Sequence, residues 1–183
     1  MLSFLEHIDR WLFLLINGFH NAFFDTIMYF VSKTITWIPL FLFLLTYFII
    51  QYKKKAILII LLLIIAVGLS DFTSVHLFKD VFLRYRPCHN LDIQKTVHLV
   101  HQHCGGQYGF ISSHASNIAS IAVFSFLALQ KGRLRFLLLL WVVLVSYSRV
   151  YLGVHYPFDV LAGMLWGSFL AYFIYRLYRR FFA

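Results

Sequence analysis

Apolar residues fill five long stretches of the chain, which short polar or basic segments separate. The stretches cover approximately residues 34–52, 56–78, 114–129, 136–148 and 157–175. A helix that crosses a hydrocarbon core of about 30 Å needs about 20 residues, so we expect polar residues to extend the third and fourth stretches. The pattern predicts an all-α fold, a polytopic transmembrane helix bundle of five to six spans.

The first 33 residues contain two further apolar segments, 8–16 and 22–31, which polar side chains interrupt. The interrupting residues are Arg10, Asn17, His20, Asn21 and Asp25. This region fits equally a sixth span with an internal break and one or two amphipathic helices in the outer interface. No basic region precedes the first apolar run and no small-residue cleavage site follows it, so we expect no cleavable signal peptide.

Composition agrees with a membrane setting, since 61% of residues are hydrophobic and only 13% are charged. The formal net charge of +9 comes largely from three clusters of basic residues between or after the apolar stretches. The clusters contain Lys53, Lys54 and Lys55, then Lys131, Arg133 and Arg135, then Arg176, Arg179 and Arg180. Positive residues concentrate in the cytoplasmic loops of membrane proteins, so the charge indicates topology and not nucleic-acid binding. The opposite helix ends then all face outward.

We expect one membrane-embedded domain over residues 1–183, because no linker or shift in composition divides the chain. Residues 1–33 are the interfacial segment or first span, and residues 34–87 form helices that lead to a first group of polar residues. Residues 88–110 form an outer, periplasmic loop. Residues 111–183 supply the remaining helices and two further polar groups.

Two cysteines, Cys88 and Cys104, bracket the outer loop. In an oxidising compartment they can form a disulfide. The alternative is a zinc site that uses the loop histidines, which are His89, His98, His101 and His103. Their spacing matches no standard metal motif, so we favour no metal.

Ionisable residues cluster near the outward ends of the apolar stretches, where they lower stability unless they pair or face a polar cavity. The first group holds Lys79 and Arg86, seven residues apart. Seven residues are close to two helical turns, so both cations project from one face if the helix continues to Arg86. Pro87 disfavours helix at Arg86 and ends the segment there. Two cations on one face suit a dianion, and snorkelling to lipid headgroups is the alternative.

The second group is Ser112, Ser113 and His114, at the start of an apolar stretch. Either serine can cap the helix, which leaves backbone N–H groups free to bind an anion. His114 beside such a site is placed to donate a proton.

The third group holds Arg149, His155 and Asp159. Pro157 fits the first position of a helix, and Asp159 then lies in its first turn. From there the carboxylate can orient the imidazole of His155 and leave one ring nitrogen as a nucleophile. Capping and structural hydrogen bonding explain each group singly, whereas one phosphoryl-transfer site explains all three.

The three groups read Lys-x6-Arg-Pro, Ser-x-His and Ser-Arg-x5-His-x3-Asp, beginning at Lys79, Ser112 and Ser148. This order resembles the signature of the type 2 phosphatidic acid phosphatase superfamily, the integral-membrane lipid phosphatases. The second group departs from the usual Pro-Ser-Gly-His, because Ile111 replaces proline and Ser113 replaces glycine. The departure puts substrate preference and rate in question more than reaction type.

The resemblance implies that Lys79, Arg86, Ser112 and Arg149, with the loop that contains Ser113, bind phosphate. His155 would attack phosphorus and form a phosphohistidine, Asp159 would orient it, and His114 would act as acid and base. No cofactor or metal is implied. A site at the outer surface of a bacterial inner membrane, facing the periplasm, suits a lipid phosphate drawn from the bilayer.

Undecaprenyl diphosphate and lipid A rank first among the substrates that the resemblance suggests, and phosphatidylglycerol phosphate and phosphatidate follow. The alternative is a transporter or non-catalytic membrane protein with an anion site, although no paired half-repeats are visible. Asp71 and His76, inside the second stretch, pair with each other or with Asn17 or His20 of the N-terminal segment. The oligomeric state is open.

Overall fold

The computed structural model of the chain describes residues 2–129, 132–133 and 135–182, so Lys131 of the second basic cluster lies outside the described residues. The described helices are α1 Leu2–Gly18, α2 Ala22–Ser32, α3 Ile38–Tyr52, α4 Ala56–Thr73, α5 Asp80–Phe82, α6 Ser113–Ala128, α7 Arg135–Tyr151 and α8 Pro157–Phe181. A π-helical turn, Ser74–Lys79, joins α4 to the single turn α5. The predicted all-α fold is confirmed, and each predicted stretch contains a helix.

Capping residues set several of the helix starts. Asn21 caps α2 by accepting a hydrogen bond from the Phe24 amide at 3.0 Å. Ser112 caps α6, and Pro157 occupies the first position of α8. Both of these starts agree with the sequence prediction, because they depend on local chemistry that the chain itself carries.

The helix that contains Lys79 ends earlier than expected. α5 stops at Phe82, and Leu83 adopts a left-handed backbone conformation with φ of 49°. This conformation breaks the helix four residues before Pro87. The expectation that Lys79 and Arg86 project from one helix face is therefore wrong. Lys79 lies on the helix, whereas Arg86 lies in the extended segment after it.

Helices α6 and α8 form the centre of the bundle, and small residues allow them to approach closely. A Cβ atom on Gly167 would come within 1.9 Å of the Ser116 carbonyl oxygen, and one on Gly163 within 2.6 Å of the Ser112 carbonyl oxygen. The Ser120 hydroxyl donates to the Gly167 carbonyl at 2.9 Å. Close contact between small residues is the usual basis of helix packing in membranes.

The outward faces of α3 and α4 are strongly apolar. Ile50 and Ile57 each keep 70% of their surface exposed. By length and composition, two helical stretches can cross a membrane, Thr34–Phe82 and Pro157–Phe181. The first includes both α3 and α4, which Lys53, Lys54 and Lys55 separate. These exposed faces fit lipid and not water as the surrounding solvent.

Contacts between helix termini define the two ends of the bundle. Tyr52 donates to the Ala128 carbonyl at 2.6 Å, and the Lys55 ammonium donates to the Phe182 carbonyl at 2.9 Å. These contacts gather the ends of α3, α6 and α8 and the start of α4 at one end, which we call the basic end. The π-helical turn and the starts of α6 and α8 lie at the opposite end, called the site end.

The N-terminal helices α1 and α2 both bind to the site end. Asp9 in α1 accepts a hydrogen bond from the Phe158 amide at 2.8 Å. Asn17 donates to the Tyr151 carbonyl at 2.8 Å, and Asp25 in α2 accepts from the Tyr151 hydroxyl at 2.8 Å. These contacts join α1 and the first turn of α2 to the end of α7 and the start of α8.

Candidate active site

The Lys79 ammonium is held at the start of α6 by a short chain of hydroxyl groups. It donates to the Ser113 hydroxyl at 2.5 Å, and that hydroxyl lies 2.6 Å from the Ser74 hydroxyl. Ser74 in turn donates to the Asp71 carbonyl at 2.7 Å. The π-helical turn therefore places Ser74 and Lys79 on the same side, facing α6. Ser113, which the sequence analysis placed in the phosphate-binding loop, is the residue that holds Lys79.

Arg86 is fixed by the backbone of the outer loop. Its Nε donates to the Tyr108 carbonyl at 3.2 Å, and its Nη1 donates to the Cys104 carbonyl at 3.1 Å. Gly105 has a positive φ of 85°, and a Cβ there would lie 3.2 Å from Arg86 Nη1. The close passage of the loop over the guanidinium thus requires glycine.

A disulfide joins Cys88 to Cys104, with the two Cα atoms 6.1 Å apart. It ties the segment after Arg86 to the part of the loop that binds Arg86. The side-chain ligand atoms of Cys88, His89 and Cys104 lie within 4.8 Å of one another. The thiolate is the form of cysteine that binds metals, so the disulfide removes the sulfur ligands from such a site.

Arg149 reaches the site from the last turn of α7. Its Nη1 donates to the Ser32 hydroxyl at the end of α2. Its Nε is buried and has no hydrogen-bond partner among the described residues. Helix α2 therefore positions this cation, while part of the guanidinium is left to bind an anion.

His155 and Asp159 form a buried pair at the start of α8. His155 is 2% exposed and Asp159 is fully buried. Nδ1 of His155 lies 3.5 Å from Oδ2 of Asp159, beyond the usual range of a hydrogen bond, and Nδ1 has no hydrogen-bond partner among the described residues. The same Oδ2 accepts from the Tyr156 amide at 3.0 Å, which fixes the carboxylate on the helix start. The two residues are brought together as the sequence predicts, in a loose contact.

The loop at Gly109 closes over this pair. A Cβ on Gly109 would lie 3.0 Å from Oδ2 of Asp159 and 3.5 Å from Nδ1 of His155. Burial lowers the pKa of His155 well below the 6.5 of an ordinary histidine, and the positive charges of Arg86, Arg149 and Lys79 lower it further. His114 acts on His155 in the same direction. The imidazole of His155 is therefore neutral and lies within the field of three cations.

Ser112 and His114 occupy the start of α6. The buried Ser112 hydroxyl accepts from the Ala115 amide at 3.5 Å, and the Ser112 amide donates to the Asp159 carbonyl at 2.9 Å. His114 is exposed and lines a cavity together with Arg149. The start of α6 thus lies against the start of α8, with His114 in the first turn of α6 and His155 just before α8.

Arg84 is a site residue that the sequence did not indicate. Its Nη1 donates to Oδ1 of Asp159 at 2.6 Å, and its Nη2 donates to Oδ2 of Asp9 at 2.7 Å. Its guanidinium also stacks 4.3 Å from the centre of the Tyr156 ring. Asp9 is fully buried and caps α8 through the Phe158 amide. Helix α1 therefore supports the carboxylate beside His155.

Other polar residues have partners outside this centre. Asp71 accepts from the Asn117 amide at 2.8 Å, and His76 lies 3.0 Å from Asp80. Neither pairing that the sequence suggested for Asp71 and His76 is present among the described residues. His98 lies 3.0 Å from Asp25 and stacks on His20, so this loop histidine attaches the loop to the N-terminal helices.

The arrangement brings three cations together with the neutral imidazole of His155 and a second histidine, His114. Sequence comparison identifies the family of the chain. The sequence model of the PAP2 superfamily matches residues 56–183, which include all three motifs. The chain belongs to the PAP2 superfamily. The resemblance in the motifs is confirmed, and the chain is a phosphohydrolase of this superfamily.

Named relatives of this PAP2 protein act on several lipids. The chain is 33% identical over 180 residues to a lipid A 4'-phosphatase of Porphyromonas gingivalis, covering 97% of this chain and 75% of that protein. It is 32% identical over 182 residues to a lipid A 4'-phosphatase of Bacteroides thetaiotaomicron, covering 95% and 80%. It is 33% identical over 165 residues to an undecaprenyl-diphosphatase of Sulfolobus acidocaldarius, covering 88% and 74%.

Solved structures share the fold of this PAP2 protein. A transmembrane PAP2-type phosphatidylglycerolphosphate phosphatase from Bacillus subtilis superposes with a TM-score of 0.74 at 19% identity, covering 97% of this chain and 87% of that chain. LpxE from Aquifex aeolicus superposes with a TM-score of 0.65 at 24% identity, covering 90% and 93%. The helical bundle is therefore that of PAP2 membrane phosphatases.

Proposed function

We propose that this PAP2 membrane phosphatase removes a phosphate from a lipid phosphate or diphosphate through a phosphohistidine on His155. The observation that carries the proposal is the state of His155. Its imidazole is buried, neutral and next to Asp159, with the charges of Lys79, Arg86 and Arg149 acting on it. A neutral imidazole in a cationic site is able to attack a phosphate dianion.

In the first step, the free Nε2 lone pair of His155 forms a bond to phosphorus. The bond from phosphorus to the lipid oxygen breaks, and His114 gives its proton to that oxygen. Lys79, Arg86 and Arg149 stabilise the negative charge on the non-bridging oxygens. Asp159, held by Arg84, stabilises the cationic imidazole of the intermediate.

In the second step, a water molecule attacks the phosphohistidine. His114, now neutral, takes a proton from the water, and the bond from His155 to phosphorus breaks as inorganic phosphate forms. Both histidines return to their starting states. Each step uses residues of this chain only, so we expect metal chelators to leave the rate unchanged.

The membrane arrangement that we propose has five spans, α3, α4, α6, α7 and α8. Helices α1 and α2 then lie in the interface at the site end, which their contacts with Tyr151 and Phe158 support. The basic end faces the cytoplasm of a bacterial inner membrane under the positive-inside rule, and the site faces the periplasm. All described residues then form one domain.

Undecaprenyl diphosphate and lipid A remain the first substrates that we propose, because relatives across nearly the whole chain carry those names. Phosphatidylglycerol phosphate and phosphatidate follow. In each case the lipid tail stays in the bilayer while the phosphate enters the site end.

The test is phosphate release from this panel of lipids in detergent, with and without chelator. We expect His155→Ala and His114→Ala to lose activity by roughly a thousandfold or more, because each variant lacks a nucleophilic or acid–base group. His76→Ala is the matched control, since His76 pairs with the exposed Asp80. Phosphate binding without release by the wild type would instead favour a non-catalytic anion site.

A further inference from the structure

A cavity of about 510 Å³, lined by both polar and apolar side chains, adjoins the active site on the side of His114. The end of α2, the turn that follows it, the outer loop and the end of α7 form its walls. Its polar lining includes Ser32, Lys33, His101, His103, His114 and Arg149. A cavity of this volume is within the range of small-molecule sites, so it has room for more than one phosphate group.

The charge of this cavity is positive. Lys33 and Arg149 line it, and its lining residues in the described part of the chain include no aspartate or glutamate. The Lys33 ammonium lies 4.2 Å from the centre of the Tyr29 ring, and the His101 ring lies 4.3 Å from the same ring. No carboxylate of the described residues forms an ion pair with Lys33. An anion is therefore the ligand that this lining favours.

The cavity lies on the side of the site where the leaving part of the substrate would exit. This step rests on the proposed function, in which His155 attacks phosphorus in line and His114 protonates the oxygen that leaves. His114 lines the cavity, whereas His155 is buried and is not among the lining residues. The leaving oxygen therefore exits on the side of the cavity, opposite the nucleophile.

We infer that this cavity is a subsite for the leaving part of the substrate and that Lys33 and His101 bind a second phosphate carried there. A diacylglycerol leaving group would bring no negative charge to Lys33. Two kinds of lipid supply the charge, a prenyl diphosphate and a glucosamine-based lipid with a phosphate at each end. The shared feature is the second phosphate.

The experiment compares matched substrates that differ by that phosphate. Farnesyl diphosphate is paired with farnesyl monophosphate, and bisphosphorylated lipid A with the form that carries only the 4'-phosphate. We measure kcat/KM for the wild type, Lys33→Gln, His101→Gln and the control Lys54→Gln, which lies at the basic end. Thermal unfolding of each variant in detergent establishes that it is folded.

We expect Lys33→Gln to lower kcat/KM about tenfold or more for the substrate with two phosphates and by less than about twofold for its partner, because one charge-assisted contact is lost. A drop in one pair alone identifies which lipid the subsite serves. Equal effects on both members of both pairs, in Lys33→Gln and His101→Gln alike, would overturn the subsite. A wild type inactive on all four lipids would overturn the proposed function as well.

Discussion

Arg84 donates to the carboxylate of Asp159 at 2.6 Å and so supports the residue that contacts the proposed nucleophile. The other amino group of Arg84 binds Asp9 of α1 at 2.7 Å. Both carboxylates are fully buried. An arginine between two buried carboxylates holds each of them in place, so a change at Arg84 acts on His155 through Asp159.

We expect Arg84→Gln to lower kcat by up to about a hundredfold with a smaller change in KM, since a small displacement of a catalytic group is sufficient for such a loss. Arg84→Lys keeps the charge and restores part of kcat. Arg10→Gln is the matched control, because Arg10 forms an exposed ion pair with Asp92 at 3.0 Å. Steady-state kinetics check the prediction, and a kcat of Arg84→Gln equal to that of the wild type would contradict it.

Ser113 holds Lys79, and this contact accounts for a serine where the family usually has glycine. We expect Ser113→Gly and Ser113→Ala to lower kcat/KM by about tenfold, because both remove the hydroxyl that accepts from the Lys79 ammonium. Ser113→Thr keeps the hydroxyl and most of the activity. If Ser113→Ala were as active as the wild type, the hydroxyl would have no part in positioning Lys79.

The disulfide between Cys88 and Cys104 closes a loop whose ends are 16 residues apart. A loop of that length stabilises a folded chain by about 3 kcal/mol in the entropy account. We expect reduction to lower the unfolding temperature and to raise KM, because the loop supplies the Cys104 carbonyl to Arg86. Mass spectrometry of the unreduced protein checks that the disulfide is present.

The double variant Cys88→Ser with Cys104→Ser is the control for reduction, since reductant then has no target in the loop. The finding of two freely alkylated thiols in protein isolated without reductant would contradict the bond.

His155 is predicted to be neutral at a pH where an ordinary histidine is half protonated, because burial and the nearby cations lower its pKa well below 6.5. The unfolded chain binds a proton there that the folded protein does not. The free energy of unfolding therefore falls as the pH drops below 6.5 towards the folded pKa.

Selective labelling of histidine for NMR in detergent, with His155→Gln to assign the signal, measures this pKa directly. A titration midpoint of His155 at or above 6.5 would contradict the electrostatic account.

Much of the fold and the meeting of the three motifs could be predicted from sequence. Apolar stretches of membrane length predict the helices. The basic clusters mark one end of the bundle, so they predict that Lys79, His114 and Asp159 share the opposite end. The starts at Ser112 and Pro157 depend on capping chemistry that is local in the chain. Each of these features can be predicted from residues that are close together in the sequence.

The support around the site could not be predicted in the same way. Arg84 is 75 residues from both Asp9 and Asp159, and no local pattern pairs them. The prediction that the helix continues to Arg86 is wrong because Leu83 adopts a left-handed backbone conformation. No glycine or proline at position 83 indicates in the sequence that the helix ends there. Ser32 contacts Arg149 and Ser74 contacts Ser113 only because the helices that carry them pack together. Tertiary contacts alone decide such partners.

The central claim is tested most directly by trapping the covalent intermediate. The wild type is mixed with a lipid phosphate, quenched at alkaline pH within one turnover and digested for mass spectrometry. We predict a phosphoryl group on the peptide that contains His155, located on that imidazole, and none in His155→Ala. A phosphoryl group on another residue, or full turnover by His155→Ala, would contradict the account.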